Sequence, residues 1–166
     1  LTVFGNLPYN ISTEILSKWI INIDKSFWFE SLVLMFQKEV AERIIAESNT
    51  SKYGRLSILS NWKLNIKKII DIKPNSFSPR PKIDSTLLLF TPRENFFEIK
   101  EAKNLEMITR VFFSHRRKML KKPFNQIFKN AKEVSEKFNI DLNLRPQNLE
   151  AETYFKLVKE YESLRG

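Results

Sequence analysis

The sequence has few of the residues on which several common kinds of site depend. It contains no cysteine and a single histidine, His115, among 166 residues. Disulfides and cysteine-ligated metals are therefore excluded, and a histidine-rich metal centre or a serine–histidine triad is disfavoured. No apolar run approaches the ~20 residues of a membrane-spanning helix. The start also lacks the charged-then-apolar pattern of a secretory signal. We expect a cytoplasmic protein with no metal and no membrane partner.

Glycine is equally scarce, and its positions matter. The three glycines are Gly5, Gly54 and Gly166, and no two of them form Gly-x-Gly. A nucleotide-like cofactor in an open α/β fold needs a glycine-rich loop after the first strand, because the backbone must approach it closely. The sequence also begins at Leu1 rather than Met, inside an apolar run. Together these features predict a cut through a domain upstream of the first strand.

Apolar and basic residues are abundant by contrast. Hydrophobic residues make up 42% of the chain and include fourteen Phe, which is enough for a packed core. Lys and Arg number 28 against 19 Asp and Glu, giving a net charge of +9. Such a surplus is typical of nucleic-acid binders, but a lysine-rich composition also follows from an AT-rich genome. Charge alone leaves both interpretations open.

The order of apolar patterns predicts an α/β part followed by a helical part. Short apolar runs predict strands at 1–4, 31–36 and 85–90, and a further strand is predicted at 66–72. Helical spacing predicts helices after a cap at Ser12 or Thr13, and at 37–46, 55–63, 105–113, 124–138 and 150–164. Alternation of strands and helices favours a mostly parallel sheet over residues 1–92. The helical pattern that follows predicts a small all-α domain at residues 93–166.

The tetrapeptide Asn6-Leu7-Pro8-Tyr9 follows the first strand and precedes the first helix, where ligands bind in open α/β sheets. One chemistry that would suit this motif is methylation of an exocyclic adenine amine, which is a poor nucleophile because its nitrogen is conjugated with the ring. The Asn6 side-chain oxygen and the Leu7 carbonyl could accept its hydrogens and offset developing charge. Pro8 restrains Leu7, and Tyr9 offers a flat face to an unstacked base. A plain strand-to-helix turn is the alternative interpretation.

Four ordered blocks beginning with Asn6–Thr13 resemble the ribosomal RNA adenine dimethyltransferase family of the kasugamycin-sensitivity type. The others are Met35–Arg43, Phe77–Ser85 and Phe112–Leu120, and the ending from Leu144 onward also fits. The resemblance implies the carboxyl-terminal part of a Rossmann-like S-adenosyl-L-methionine (SAM) methyltransferase sheet. It also implies N6 dimethylation of adenines in small-subunit rRNA. Asn6 would be the one retained residue near the cofactor, so this chain alone is expected to bind SAM poorly.

The resemblance also assigns residues to RNA. Phe77 would close the base pocket opposite Tyr9, although an aromatic residue beside prolines can equally anchor a loop. Phosphate contacts are expected from Arg80, Lys82, Arg116, Arg117, Lys118, Lys121 and Lys122. For the last five of these residues, the alternative interpretation is a solvent-exposed helix face without RNA contacts. The whole enzyme is expected to be a monomer, while this chain could associate through the free edge of its first strand.

Two other functions remain open at this point. One is a large-subunit rRNA adenine methyltransferase of the antibiotic-resistance type. The other is a non-catalytic rRNA-binding or ribosome-assembly module.

Overall fold

The computed structural model describes residues 1–24, 27–74 and 84–165, which form a mixed four-stranded sheet and seven α-helices. The strands are β1 (Thr2–Asn6), β2 (Ser31–Gln37), β3 (Leu64–Ile72) and β4 (Ser85–Pro92). The helices are α1 (Ser12–Asn22), α2 (Lys38–Ile45), α3 (Arg55–Lys63), α4 (Ala102–Ser114), α5 (Lys121–Ile127), α6 (Ala131–Lys137) and α7 (Ala151–Arg165). Among these helices, none is both long and apolar enough to cross a bilayer.

The sheet order is β1-β2-β4-β3, and its strands do not all run the same way. β1 and β2 are parallel, with Asn6 opposite Met35. β4 is antiparallel to both of its neighbours. The predicted mostly parallel sheet is therefore wrong for β4. β3 and β4 are consecutive strands that pair directly with each other, and antiparallel pairing needs no crossover helix between them.

The two faces of the sheet are unequally covered. On one face Leu34, Leu88 and Phe90 are fully buried, and they join one apolar cluster with residues of α1 and α3. On the opposite face Phe4 is 75% exposed and Ile70 is 53% exposed. Because successive side chains alternate between faces, this difference follows the period of two along each strand.

The first helix begins differently from the prediction. Ser12 is already helical, Ile11 precedes the helix, and no side chain caps it. The backbone starts the helix instead, since the Ile11 N–H donates to the Pro8 carbonyl at 3.1 Å. The predicted cap at Ser12 or Thr13 is therefore wrong, and Ser12 is buried, with its hydroxyl donating to the Tyr9 carbonyl.

The predicted helix at 124–138 is two helices, α5 and α6. They are separated at Phe128, which has an extended backbone. This break lets the ring of Phe128 pack against Phe124 and Tyr161, with centroids at 5.7 and 6.5 Å. Burial of an aromatic ring outweighs the few residues of helix that are lost.

The helices that follow β4 pack onto α3. α4 and α7 contact each other and both contact α3, so that one buried cluster contains residues from both sides of position 92. Glu162 on α7 also accepts hydrogen bonds from the backbone N–H groups of Lys100 and Glu101 at the start of α4. The division into residues 1–92 and 93–166 stays a prediction.

Candidate functional site

The Asn6-Leu7-Pro8-Tyr9 motif lies at the carboxyl end of β1. Asn6 is the last residue of the strand and its side chain is exposed, whereas Leu7 packs against the core. The turn that follows uses the Pro8 carbonyl as its acceptor, and α1 begins directly after it. The sequence-based location of the motif at a strand end is therefore confirmed by the fold.

Tyr9 is held at both ends. Its hydroxyl forms a hydrogen bond with the hydroxyl of Ser85, the first residue of β4, which is fully buried. Its carbonyl accepts a hydrogen bond from the Ser12 hydroxyl at 3.4 Å. Ser85 lies opposite both Gln37 of β2 and Ile72 of β3. The ring is thus fixed at the edge of the sheet where β1, β2 and β3 end and β4 begins.

Ser85 was not identified from the sequence as a site residue. It is 76 positions from Tyr9 along the chain, and a buried serine at the start of a strand carries no local signal of this role. Only the register of β4 against β2 brings the two hydroxyls together.

Asp71 of β3, which lies opposite Thr86 near this edge of the sheet, is a weak proton acceptor. Hydrogen bonds from Thr86 and Lys68 lower the pKa of Asp71 below its usual value. Their distances are 2.7 and 2.9 Å. A general base needs a pKa near the operating pH, so Asp71 is not suited to that role.

Three predicted residues cannot be placed. Phe77, Arg80 and Lys82 lie outside the described residues. Their assignment to the base pocket and to RNA phosphates stays a prediction.

The predicted RNA-binding residues 116–118 lie in the turn that follows α4, and the side chain of Arg116 points inward. The Arg116 guanidinium donates to the carbonyls of Tyr53 at 2.5 Å, Ser51 at 2.8 Å and Thr50 at 3.3 Å. It also lies 5.7 Å from the centre of the Phe113 ring. Most of its donors are therefore occupied by the loop before α3, which makes Arg116 a residue that positions this loop.

The other basic residues of the segment face solvent. Arg117 and Lys118 are exposed in the turn, and Lys121 and Lys122 are the first two residues of α5. Cations at the start of a helix oppose its dipole, so that their charge costs stability rather than adding to it. An external anion such as phosphate would relieve this repulsion.

The described residues do not by themselves fit a SAM molecule. Asn6 could lie beside the reacting groups, but glycine-rich backbone is missing from the sequence. Gly5 is needed for packing, because a Cβ there would lie 2.8 Å from the Leu34 side chain. The described part of the chain also has no cluster of three or more potential metal ligands.

Comparison with known proteins gives the family. Residues 1–163 match the family described as ribosomal RNA adenine dimethylase. The chain belongs to this family. The motif at the end of β1 and the basic turn after α4 are thus features of a family member, which agrees with the sequence-based resemblance.

Individual relatives agree with this assignment. The chain is 80% identical over 166 residues to a ribosomal RNA small subunit methyltransferase A from Pelagibacter ubique, and covers 63% of that protein. It is 42% identical over 162 residues to the protein of that name from a Wolbachia strain of Drosophila simulans, covering 98% of this chain and 58% of that protein. The chain therefore spans about three fifths of the length of these curated relatives.

Solved structures support the methyltransferase fold. A dimethyladenosine transferase from Plasmodium falciparum matches with a TM-score of 0.79 and 27% identity, over 98% of this chain and 66% of that one. The 23S rRNA methyltransferase ErmE matches with a TM-score of 0.65 and 16% identity, over 98% and 65% of the two chains. The second likeness shows the fold alone.

Proposed function

We propose that the protein acts on small-subunit rRNA as a SAM-dependent adenine-N6 dimethyltransferase. The observation that carries this proposal is the Asn6–Tyr9 motif at the carboxyl end of β1, in a chain that matches the family over residues 1–163. The curated relatives named above support the small subunit as the target rather than the large one. A cytoplasmic location follows from that substrate.

In this proposal SAM supplies an electrophilic methyl group, and the residues of this chain prepare the amine that receives it. The Asn6 side-chain oxygen and the Leu7 carbonyl accept the two hydrogens of the adenine amine. They favour its tetrahedral form and offset the positive charge as it develops. The alkylated amine is acidic, so water can remove its proton and no strong base is needed.

Tyr9 supplies the stacking surface for the adenine, which has to leave the RNA stack to reach Asn6. Its hydrogen bond to Ser85 restrains the ring before the base arrives, and a fixed ring loses little conformational freedom on binding. Phe77 remains the proposed partner on the other side of the base, from the sequence resemblance.

The test uses the natural protein that contains these residues and small ribosomal subunits that lack N6-dimethyladenosine. Asn6→Ala should lower the rate of methylation by about 10²- to 10³-fold, which is typical for the loss of one preorganised polar contact. Asn22→Ala removes an exposed Asn at the far end of α1 and should leave the rate unchanged. Equal rates for the two variants would contradict the assigned role of Asn6.

The same assay separates the alternative functions. Dimethyladenosine appearing only in large-subunit rRNA would favour the antibiotic-resistance type. RNA binding with no methylation by the natural protein would favour the ribosome-assembly module. Nucleoside mass spectrometry of each rRNA distinguishes these outcomes.

Self-association through the free edge of β1 remains a second proposal. It is supported by the terminal place of β1 in the sheet and by the exposure of Phe4. Sedimentation velocity of the 166-residue chain and of Phe4→Lys tests it, since a charge on this strand should favour the monomer.

A further inference from the structure

A cleft of about 900 Å³ lies among α3, α4 and α7, on the helical side of the molecule. Arg55 from the start of α3 and Arg165 from the end of α7 line its walls. Lys103 and Arg110 line it from α4, where a spacing of seven residues places them on one helix face. Met107 lies between them on the same face. We call this feature the α4 cleft.

Several cations of the α4 cleft have no ion pair that would neutralise them. Within the described part of the chain, no carboxylate lies within ion-pair distance of Arg55, Arg110 or Arg165. Lys103 differs, since it lies 3.5 Å from Glu101. The lining glutamate of α7, Glu162, is occupied by hydrogen bonds to the start of α4. Positive potential therefore remains in the cleft.

The guanidinium group of Arg165 is oriented by an aromatic ring. It lies 4.5 Å from the centre of the Tyr161 ring, and the tyrosine is 9% exposed. Stacking on a nearly buried ring restricts the arginine without using its N–H donors. Guanidinium groups held in this way bind phosphate through two parallel hydrogen bonds at low entropic cost.

The α4 cleft leads toward the proposed catalytic loop. A second cleft of about 260 Å³ shares Arg55 and Glu106 with it and is lined further along by Arg43 and Thr13. Thr13 lies in the first turn of α1, four positions after Tyr9. A nucleic-acid strand that follows Arg55 out of the α4 cleft thus approaches the motif at the end of β1.

We propose that the α4 cleft binds the sugar–phosphate backbone of the RNA strand that leads to the target adenine. This inference rests on the proposed function and adds a binding site that is separate from the basic turn after α4. Arg55 and Arg110 contact phosphates, and Arg165 holds the strand at its far end. Glu106 opposes binding, because it places a negative charge beside the same path.

The first test measures how the affinity for a fluorescein-labelled RNA hairpin with a single-stranded tail depends on salt. Each lost phosphate contact lowers the slope of log K against log salt by about 0.7 to 0.9. Arg55→Gln with Arg110→Gln should therefore lower it by roughly 1.4 to 1.8. The control Lys132→Gln removes an exposed cation on α6, outside the cleft, and should leave the slope unchanged.

A variant of opposite sign excludes simple damage to the fold. Glu106→Gln should tighten RNA binding, whereas Glu136→Gln, an exposed glutamate on α6, should tighten it much less. A destabilised protein would bind more weakly in both cases. Equal effects of the two variants would mean that net charge alone acts, and would overturn the proposal.

The second test maps the strand directly. The 166-residue sequence has no cysteine, so Met107→Cys in this chain introduces a single thiol in the α4 cleft, to which an iron chelate can be attached. Hydroxyl radicals should then cleave the bound RNA on one side of the target adenine. The same chelate at Lys132→Cys should give no cleavage there.

The outcomes distinguish this inference from the proposed function. If the unchanged protein binds the hairpin but the cleft variants keep its slope and the Met107 chelate cuts no RNA, the inference alone fails. If the unchanged protein binds no RNA and methylates none, the proposed function fails with it.

Discussion

Glu162, near the end of α7, forms hydrogen bonds with the start of α4. Its substitution tests how much these bonds contribute to the stability of the helical part. Its carboxylate accepts hydrogen bonds from the N–H groups of Lys100 and Glu101, both at 2.9 Å, and from the Asn104 amide at 2.8 Å. The side chain is 7% exposed, so water has limited access to these bonds. The negative charge also lies at the positive end of the α4 dipole.

Glu162→Gln keeps the shape and removes the charge. The amide has one acceptor oxygen, and its NH₂ group would face a backbone N–H donor. Hydrogen bonds to a charged group contribute about 1.5–3 kcal/mol, so that we expect a loss of about 2 kcal/mol. For a chain of this size this lowers Tm by roughly 4–8 °C. Glu152→Gln, on the same helix but in an exposed pair with Lys156, should cost less than about 0.5 kcal/mol.

The dependence on pH gives a second readout. Burial raises the pKa of Glu162, but the hydrogen bonds from Asn104, Lys100 and Glu101 outweigh it, and the pKa lies below its usual value. With the folded pKa below the unfolded one, the stabilisation is complete above the unfolded pKa of about 4.3 and is lost as the pH falls through the folded pKa. The Tm difference between the protein and Glu162→Gln should therefore be constant near neutrality and shrink below about pH 4. Equal Tm values at neutral pH, or a difference that persists in acid, would refute this account.

Three further predictions follow. Gly5→Ala should lower Tm by the equivalent of about 1–3 kcal/mol in thermal denaturation, because its Cβ would meet the fully buried Leu34. Tyr9→Phe should cost about 0.5–1.5 kcal/mol by losing the bond to Ser85, yet keep most methylation, whereas Tyr9→Ala should lose it. Calorimetric titration of the 166-residue chain with SAM should give little heat, since Asn6 alone would contact it; stoichiometric tight binding would contradict this.

Local sequence was sufficient to predict those helices and strands whose structure depends mainly on their own residues. The helix at 55–63 has the predicted bounds and begins directly after Gly54. β2 and β4 followed from continuous apolar runs, and the motif at 6–9 was placed by its position between a strand and a helix. These features depend on periodicity and turn residues, and both signals are present in the neighbouring positions of the sequence.

Features that depend on distant residues were not predictable in the same way. The direction of β4 follows from its pairing with β3 rather than from its own residues. The break at Phe128 arises from ring packing against Tyr161, which is far along the chain. Arg116, Arg117 and Lys118 look alike in the sequence, and only the carbonyls of the loop before α3 separate the first from the others.

The helix α3 connects the proposed RNA-binding surfaces to the proposed catalytic loop. It packs against α1, which starts directly after the motif, and against α4 and α7, which line the α4 cleft. Arg116 fixes the loop that leads into α3, and Arg55 is its first residue. In the proposed complex, phosphates bound by Arg55 would thereby be kept at a set position relative to Asn6. In the proposed mechanism, catalysis depends on placing an amine against fixed acceptors, so binding free energy from the RNA backbone would be converted into orientation of the adenine.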